Sequence, residues 1–326
     1  MLRILFVLVL FKPLISFADV PCSTQDFLNK VCLSDEPQEL TGEEITKLKC
    51  QSIETVPVMA TQLRDAFERA PEWMKKKLCG LNGLGVYPTL PGSRTLSWSY
   101  FRPNYVGISR GFLESGYSFS KHQETMRRQS LSKKSLAEVD FPKSFGFQHT
   151  GADHGLGVLY LLTHEVGHLI YNPLRKAGDP DLFNSCIVFG GHRNCNPFKE
   201  HHWGFISWIT AAGPIVPGIN YGTPRPHNQN LINFVLPANK TTVDLKAMDD
   251  FYREYLASGF VTPFSLYSPE EDFCETLAAT VVARELESWR FQFLDGTSFD
   301  LRAKVLSPQN PELRRKIDFI QLHITK

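Results

Sequence analysis

Residues Leu161 to Ile170 read Leu-Leu-Thr-His-Glu-Val-Gly-His-Leu-Ile, with His164 and His168 four positions apart and Glu165 next to the first. On a helix four residues advance the chain about 400° and about 6 Å, so the two imidazoles leave one face a turn apart. Two histidines so placed can share one tetrahedral metal ion at about 2.0–2.1 Å each. Glu165 lies about a quarter-turn away, where it can reach a metal-bound water without ligating the ion. The chemistry of this pattern is metal-assisted hydrolysis, with Glu165 as general base. Apolar neighbours on both sides bury the trio, and a cation answers the cost of burying it.

A catalytic zinc ion needs a third protein ligand and one open position. The best donors stand about a hundred residues later, in Ser268-Pro269-Glu270-Glu271-Asp272-Phe273-Cys274-Glu275. Glu271 and Glu275 are four apart, on one row at the border of the apolar side of a helix. One carboxylate can ligate the ion, while the other, a turn deeper, can hold the second N–H of a ligating histidine. Ser268, Pro269 and Glu271 also fit a capping box, which needs no metal. That reading leaves Glu275 unexplained. His149, His154, His192, His201, His202 and His227 are further imidazoles, of which the adjacent pair 201 and 202 can supply at most one ligand.

The elements that position these groups are legible in outline. A helix is predicted over 60–79, broken or kinked at Pro71, with Leu63, Phe67 and Met74 on one face. Short strands are predicted over 83–88 and 105–109. Residues 115–153 are polar and basic and read as a surface loop, or as a flap near a cleft. The motif helix spans 156–171, and three more cover 247–259, 268–289 and 311–323. Helices with a few strands make an α+β fold. The domain plan is a targeting segment at 1–18, a disulfide-pinned extension at 19–58 and a catalytic domain at 59–326, with a long insertion near 172–246.

The two motifs together resemble the gluzincin metallopeptidases. The metzincins are excluded, since their extension would place Gly at Tyr171 and His at Leu174. Glu271-Asp272-Phe273-Cys274-Glu275 is similar to the E-x-F-A-E block of the catalytic domain of anthrax lethal factor and related secreted bacterial peptidases, and Phe260-Val261-Thr262-Pro263-Phe264 resembles the segment before it. The resemblance implies a helix-rich zincin-like fold with a small sheet and one Zn2+. It implies His164, His168 and Glu271 as ligands, Glu165 as general base and Glu275 as the carboxylate behind a ligand. The family carries an oxyanion-stabilising tyrosine seven residues before the ligand glutamate. Here that position is Phe264, and Tyr267, Tyr221, Tyr252, Tyr255 and His227 are the alternatives, Tyr267 first.

The implied activity is hydrolysis of peptide bonds in a protein or peptide substrate. Peptide cross-links of a bacterial wall are a second substrate class. A secreted binding protein that keeps zinc only as a clip is a third reading, prompted by Phe264. The 326 residues carry Lys+Arg 35 against Asp+Glu 34, and hydrophobic residues make 42%. A near-neutral chain is no bulk-charge nucleic-acid binder, and its apolar content builds a core. Residues 1–18 read as a signal peptide cut after Ala18, too short to span a bilayer and leaving no stable membrane insertion. The expected location is secreted or periplasmic. Of seven cysteines, proximity favours Cys22–Cys32 and Cys186–Cys195, which leaves Cys50–Cys79, with Cys274 a buried free thiol. Oligomeric state is not legible.

Overall fold

The computed structural model describes residues 22–35, 50–88, 97–100, 104–114, 116–130, 142, 144–151, 153, 155–176, 187–189, 192–194, 203, 245–266 and 269–325. The first described elements are α1 (Thr24–Leu28), β1 (Val31–Leu33), β2 (Gln51–Ser52), α2 (Pro57–Arg69) and α3 (Glu72–Cys79). The 60–79 helix is therefore two, separated at Ala70-Pro71, and Leu63, Phe67 and Met74 are buried as expected. Next come β3 (Gly83–Tyr87), β4 (Ser97–Tyr100), β5 (Tyr105–Ser109) and α4 (Arg110–Glu114). These strands form a five-stranded sheet in the order β2-β1-β3-β5-β4. Its three inner strands are parallel and buried along their length, as strands covered on both faces must be. β4 pairs antiparallel with β5 at the sheet edge, Ser97 opposite Ile108.

Residues 115–153 depart from the loop reading. They contain α5 (Phe119–Ser130) and β6 (Gly146–Gly151). The polar face of α5 conceals two buried polar side chains, His122 and Gln123, which the sequence pattern presents as solvent-facing. Asp153 accepts from the Phe119 and Ser120 amides and so caps α5.

α6 (Leu156–Lys176) carries the H-E-x-x-H residues and is buried on all sides through most of its length, which fits its apolar composition. Gly155 precedes it with a positive φ of 73°, and a Cβ there would lie 2.7 Å from Asp65 Cβ of α2, so both conformation and space demand glycine. Within the predicted insertion the described elements are a short hairpin, β7 (Ile187–Phe189) with β8 (His192–Asn194), and the buried Trp203. Then follow α7 (Leu245–Ala257) and α8 (Pro269–Glu285). The 268–289 helix was expected to run on. Instead it stops at Glu285 and passes directly into β9 (Leu286–Gln292), the middle strand of a three-stranded antiparallel sheet with β6 and β10 (Ser298–Asp300). α9 (Leu301–Leu306) and α10 (Pro311–His323) complete the chain, the last capped by Asn310 with Pro311 in the first turn. The whole is α+β and helix-rich.

The disulfides are Cys22–Cys79 and Cys32–Cys50, which corrects the nearest-neighbour pairing. Between Cys22 and Cys32 the chain forms α1, whose Phe27 stacks on Phe67 of α2, and this carries Cys22 to the end of α3. Cys32 sits in β1 beside β2, next to Cys50. Cys186 and Cys195 lie outside the described residues. Cys274 is a buried free thiol.

Candidate metal centre

α6 and α8 cross at close range. A Cβ on Gly167 would meet Cys274 Sγ at 2.9 Å and Cys274 Cα at 3.1 Å, so glycine lets the backbones approach. That approach sets the acidic first turns of α8 opposite the two motif histidines.

Each imidazole is held from behind. His164 Nδ1 donates to Glu275 Oε1 at 2.7 Å, and His168 Nδ1 donates to Glu270 Oε1 at 2.9 Å. With both Nδ1 atoms committed to carboxylates, both Nε2 atoms present lone pairs, and they face each other at 3.2 Å. Glu271 Oε2 lies 3.2 Å from His164 Nε2 and 3.6 Å from His168 Nε2. Donors around a tetrahedral zinc ion stand about 3.3 Å apart when their bonds are about 2.0–2.1 Å. Three lone-pair atoms converging at these separations repel unless a cation lies between them, and this donor set fits zinc.

The electrostatics agree. Burial disfavours the charged form of His164, but the Glu271 and Glu275 carboxylates, as acceptors and as negative charges, outweigh it and raise the imidazole well above the ordinary histidine value. Burial likewise opposes charging of His168, yet the Glu270 bond raises it overall. The carboxylates thus favour positive charge on both rings, and a proton on either Nε2 competes with a metal ion for the same lone pair.

Cys274 also belongs to the neighbourhood. His164, His168 and Cys274 each offer a ligand atom within 4.8 Å of one another. The sequence marks this residue as a buried free thiol, and the fold sets it beside the two histidines. Burial, then the surrounding carboxylates of Glu271, Glu270, Glu165 and Glu275, pushes the thiol well above its usual value.

The remaining partners are specific. Glu275 is fully buried and takes the Tyr160 hydroxyl at 2.8 Å and the Thr262 hydroxyl on Oε2. Burial is the largest single influence and would raise its pKa, but the bond and charge of His164, with the Thr262 and Tyr160 hydroxyls, together outweigh it and lower it. Glu165 Oε1 accepts from Ser97 Oγ at 2.7 Å, while its buried Oε2 has no hydrogen-bond partner among the described residues. The Phe264 ring stands 6.0 Å from the His164 ring, next to the centre but without a hydroxyl.

His164, Glu165, His168, Glu271 and Glu275 therefore come together. Tyr267, Ser268, His154, His201, His202, Tyr221 and His227 lie outside the described residues, as does the His192 side chain. Tyr252 and Tyr255 are buried in an aromatic cluster, Tyr252 stacked on Phe291 and Tyr255 on Phe251. His149 bonds Asp153. Glu270, Tyr160, Thr262 and Ser97 were missed. Tyr160 could have been found, since it precedes His164 by one helical turn. Glu270 was legible only as a neighbour of Glu271, and nothing in the sequence marks Ser97 or Thr262.

Among the described residues, no helix is long and apolar enough to cross a membrane. Compared with known proteins, the chain matches no family model, no curated protein and no solved structure.

Proposed function

We propose that this chain is a secreted zinc-dependent peptidase that hydrolyses peptide bonds of protein or peptide substrates. The observation that carries the reading is the convergence of His164 Nε2, His168 Nε2 and Glu271 Oε2 at 3.2–3.6 Å, with both Nδ1 atoms fixed by carboxylates. In this reading His164, His168 and Glu271 hold one Zn2+, and Glu275 and Glu270 fix the histidine rings. Bound zinc supplies a Lewis acid that lowers the pKa of water and polarises a carbonyl. Glu165 takes a proton from the attacking water and returns it to the leaving amine. Phe264 cannot stabilise an oxyanion, and Tyr267, three residues on, is the proposed donor. The likeness of Glu271-Asp272-Phe273-Cys274-Glu275 to the gluzincin block favours the same assignment.

Glu271 is preferred to Cys274 as third ligand for two physical reasons. Its oxygen already stands at ligand separation from both nitrogens. The thiol, by contrast, is packed against Gly167 among carboxylates that oppose its ionisation. The nearness of Cys274 does support a second reading, in which the thiolate fills the fourth position and zinc is a structural clip.

Zinc stoichiometry after dialysis separates the two. Glu271→Ala should lose the ion and Cys274→Ala keep it, and the wild type should cleave a peptide library in a zinc-dependent way. Glu165→Gln should keep zinc and lose turnover by roughly two to four decades. Zinc loss in Cys274→Ala with no turnover in the wild type would favour the clip.

A further inference from the structure

One hydrogen bond at the site comes from the sheet rather than from the two crossing helices. Ser97 begins β4, and its Oγ donates to Glu165 Oε1 at 2.7 Å. The hydroxyl is not on a free loop. Ser97 is registered against Ile108 of β5, and β5 is paired in turn with β3, so the donor is fixed relative to the five-stranded sheet. Glu165 rides on α6 and is 3% exposed. Its two oxygens are thereby made unlike: Oε1 is satisfied by Ser97, and Oε2 is buried with no hydrogen-bond partner among the described residues.

We infer that Ser97 is a positioning residue for Glu165, holding the carboxylate by one oxygen so that the other is presented to the reacting water. The inference rests on the hydrolase reading above. A glutamate carboxylate reaches its target through three side-chain torsions, and ordering them costs rotamer freedom. Without the hydroxyl, both oxygens would be buried and unsatisfied, and a buried carboxylate in that state turns toward whatever cation or donor it can reach. Here the two imidazoles stand on the same helix, His164 next to Glu165 in sequence and His168 one turn on. The carboxylate would then swing toward them and leave the geometry that general base catalysis needs. A tether on Oε1 keeps it in place and aimed.

A merely structural role would show in stability and leave turnover per folded, zinc-loaded molecule unchanged. The test therefore compares wild type, Ser97→Ala and Ser97→Thr, each checked for zinc content and melting temperature, by peptide-cleavage kinetics and by crystal structures of the metal-free proteins. Ser97→Ala is expected to lower kcat roughly 10- to 100-fold with KM and zinc content unchanged. Its Glu165 carboxylate should adopt a new rotamer. Ser97→Thr, which keeps the Oγ donor, should restore both. An unchanged kcat, or a carboxylate that stays in place in Ser97→Ala, overturns the inference while the hydrolase reading stands. A folded, zinc-loaded wild type that cleaves no peptide overturns the hydrolase reading and this inference with it.

Discussion

Gly167 and Cys274 face each other where α6 crosses α8, so close that a Cβ on the glycine would lie 2.9 Å from the cysteine Sγ and 3.1 Å from its Cα. The glycine stands between the two histidines of the motif, and the cysteine between Glu271 and Glu275. Small residues at this one crossing therefore set the spacing between the imidazoles on one helix and the carboxylates on the other. Gly167→Ala must push the helices apart or force the cysteine aside, an overpacking cost of about 1–3 kcal/mol. The separation from His164 Nε2 to Glu271 Oε2 should grow with it, and zinc affinity should fall. Removing Sγ by Cys274→Ala should relieve part of the loss, because the contact to Cα remains. Urea unfolding and competitive zinc titration of the two single variants and the double variant measure both effects. Additive losses in the double variant would show that the two positions do not touch in solution.

Glu270 and Glu275 do the same work on different histidines, but in different surroundings. Glu275 is fully buried and satisfied by Tyr160 and Thr262, whereas Glu270 is partly exposed. Carboxylates that hold a ligating imidazole typically contribute about 10- to 100-fold in metal affinity. Glu275→Gln should lie at the upper end, and Glu270→Ala near the lower end, retaining zinc through dialysis. Zinc dissociation constants from chelator competition would rank them, and an equal or reversed order would contradict the burial argument.

What was legible in the sequence follows from how local each signal is. The α6 motif announces itself, since the spacing of His164 and His168 has meaning only on a helix. α10 was read over the same residues that form it, because Asn310-Pro311 caps it and Leu313, Ile317 and Ile320 keep one row. The end of α8 was not legible: Leu286 and Trp289 are buried in β9, so the apolar residues continue while the period changes from helix to strand. α5 was hidden for the opposite reason. His122 and Gln123 are buried polar residues, and a polar sequence gives no sign of which side faces inward. The disulfides depended on where α1 carries Cys22, which is a tertiary fact. Ser97 is of the same kind, since its role appears only when the sheet edge meets α6.

His122 makes a pH prediction. It is enclosed by Phe119, Tyr117 and Tyr160, and Tyr117 OH lies 3.1 Å from its Nδ1. Burial lowers its pKa to about 4, the nearby Glu275 raising it and His164 lowering it further. In the unfolded chain the group titrates near 6.5. Between those values the unfolded state binds the extra proton, so stability rises with pH across this window and is lost as the pH falls from about 6.5 toward about 4. The full contribution is about 3 kcal/mol. His122→Gln keeps a polar group for Tyr117 and removes the titration. The slope of unfolding free energy against pH should flatten by close to one proton near pH 5, as read from urea melts at several pH values. An unchanged slope would place the imidazole in contact with water.

Lys316 and Asp272 form an ion pair with almost no exposure, 1% and 0% of the side chains, at 2.8 Å between α10 and α8. Lys316 Nζ also donates to the Gly259 carbonyl at 2.9 Å and sits 3.9 Å from the centre of the Phe260 ring. Burial lowers its pKa, and Asp272 works against that shift. The pair adjoins the centre in sequence, since Asp272 follows Glu271, and the Gly259–Phe260 segment leads to Thr262, which bonds Glu275. Lys316→Ala leaves Asp272 buried without its cation and should cost about 3–5 kcal/mol. Replacing both, as Lys316→Met with Asp272→Asn, removes the stranded charge and should recover most of that loss. Unfolding in urea measures the three variants. Zinc titration of the double variant then shows whether the centre keeps its affinity once α10 no longer supplies a charge. A cost below about 1 kcal/mol for Lys316→Ala would be the value of a solvated surface pair, and would contradict the buried geometry.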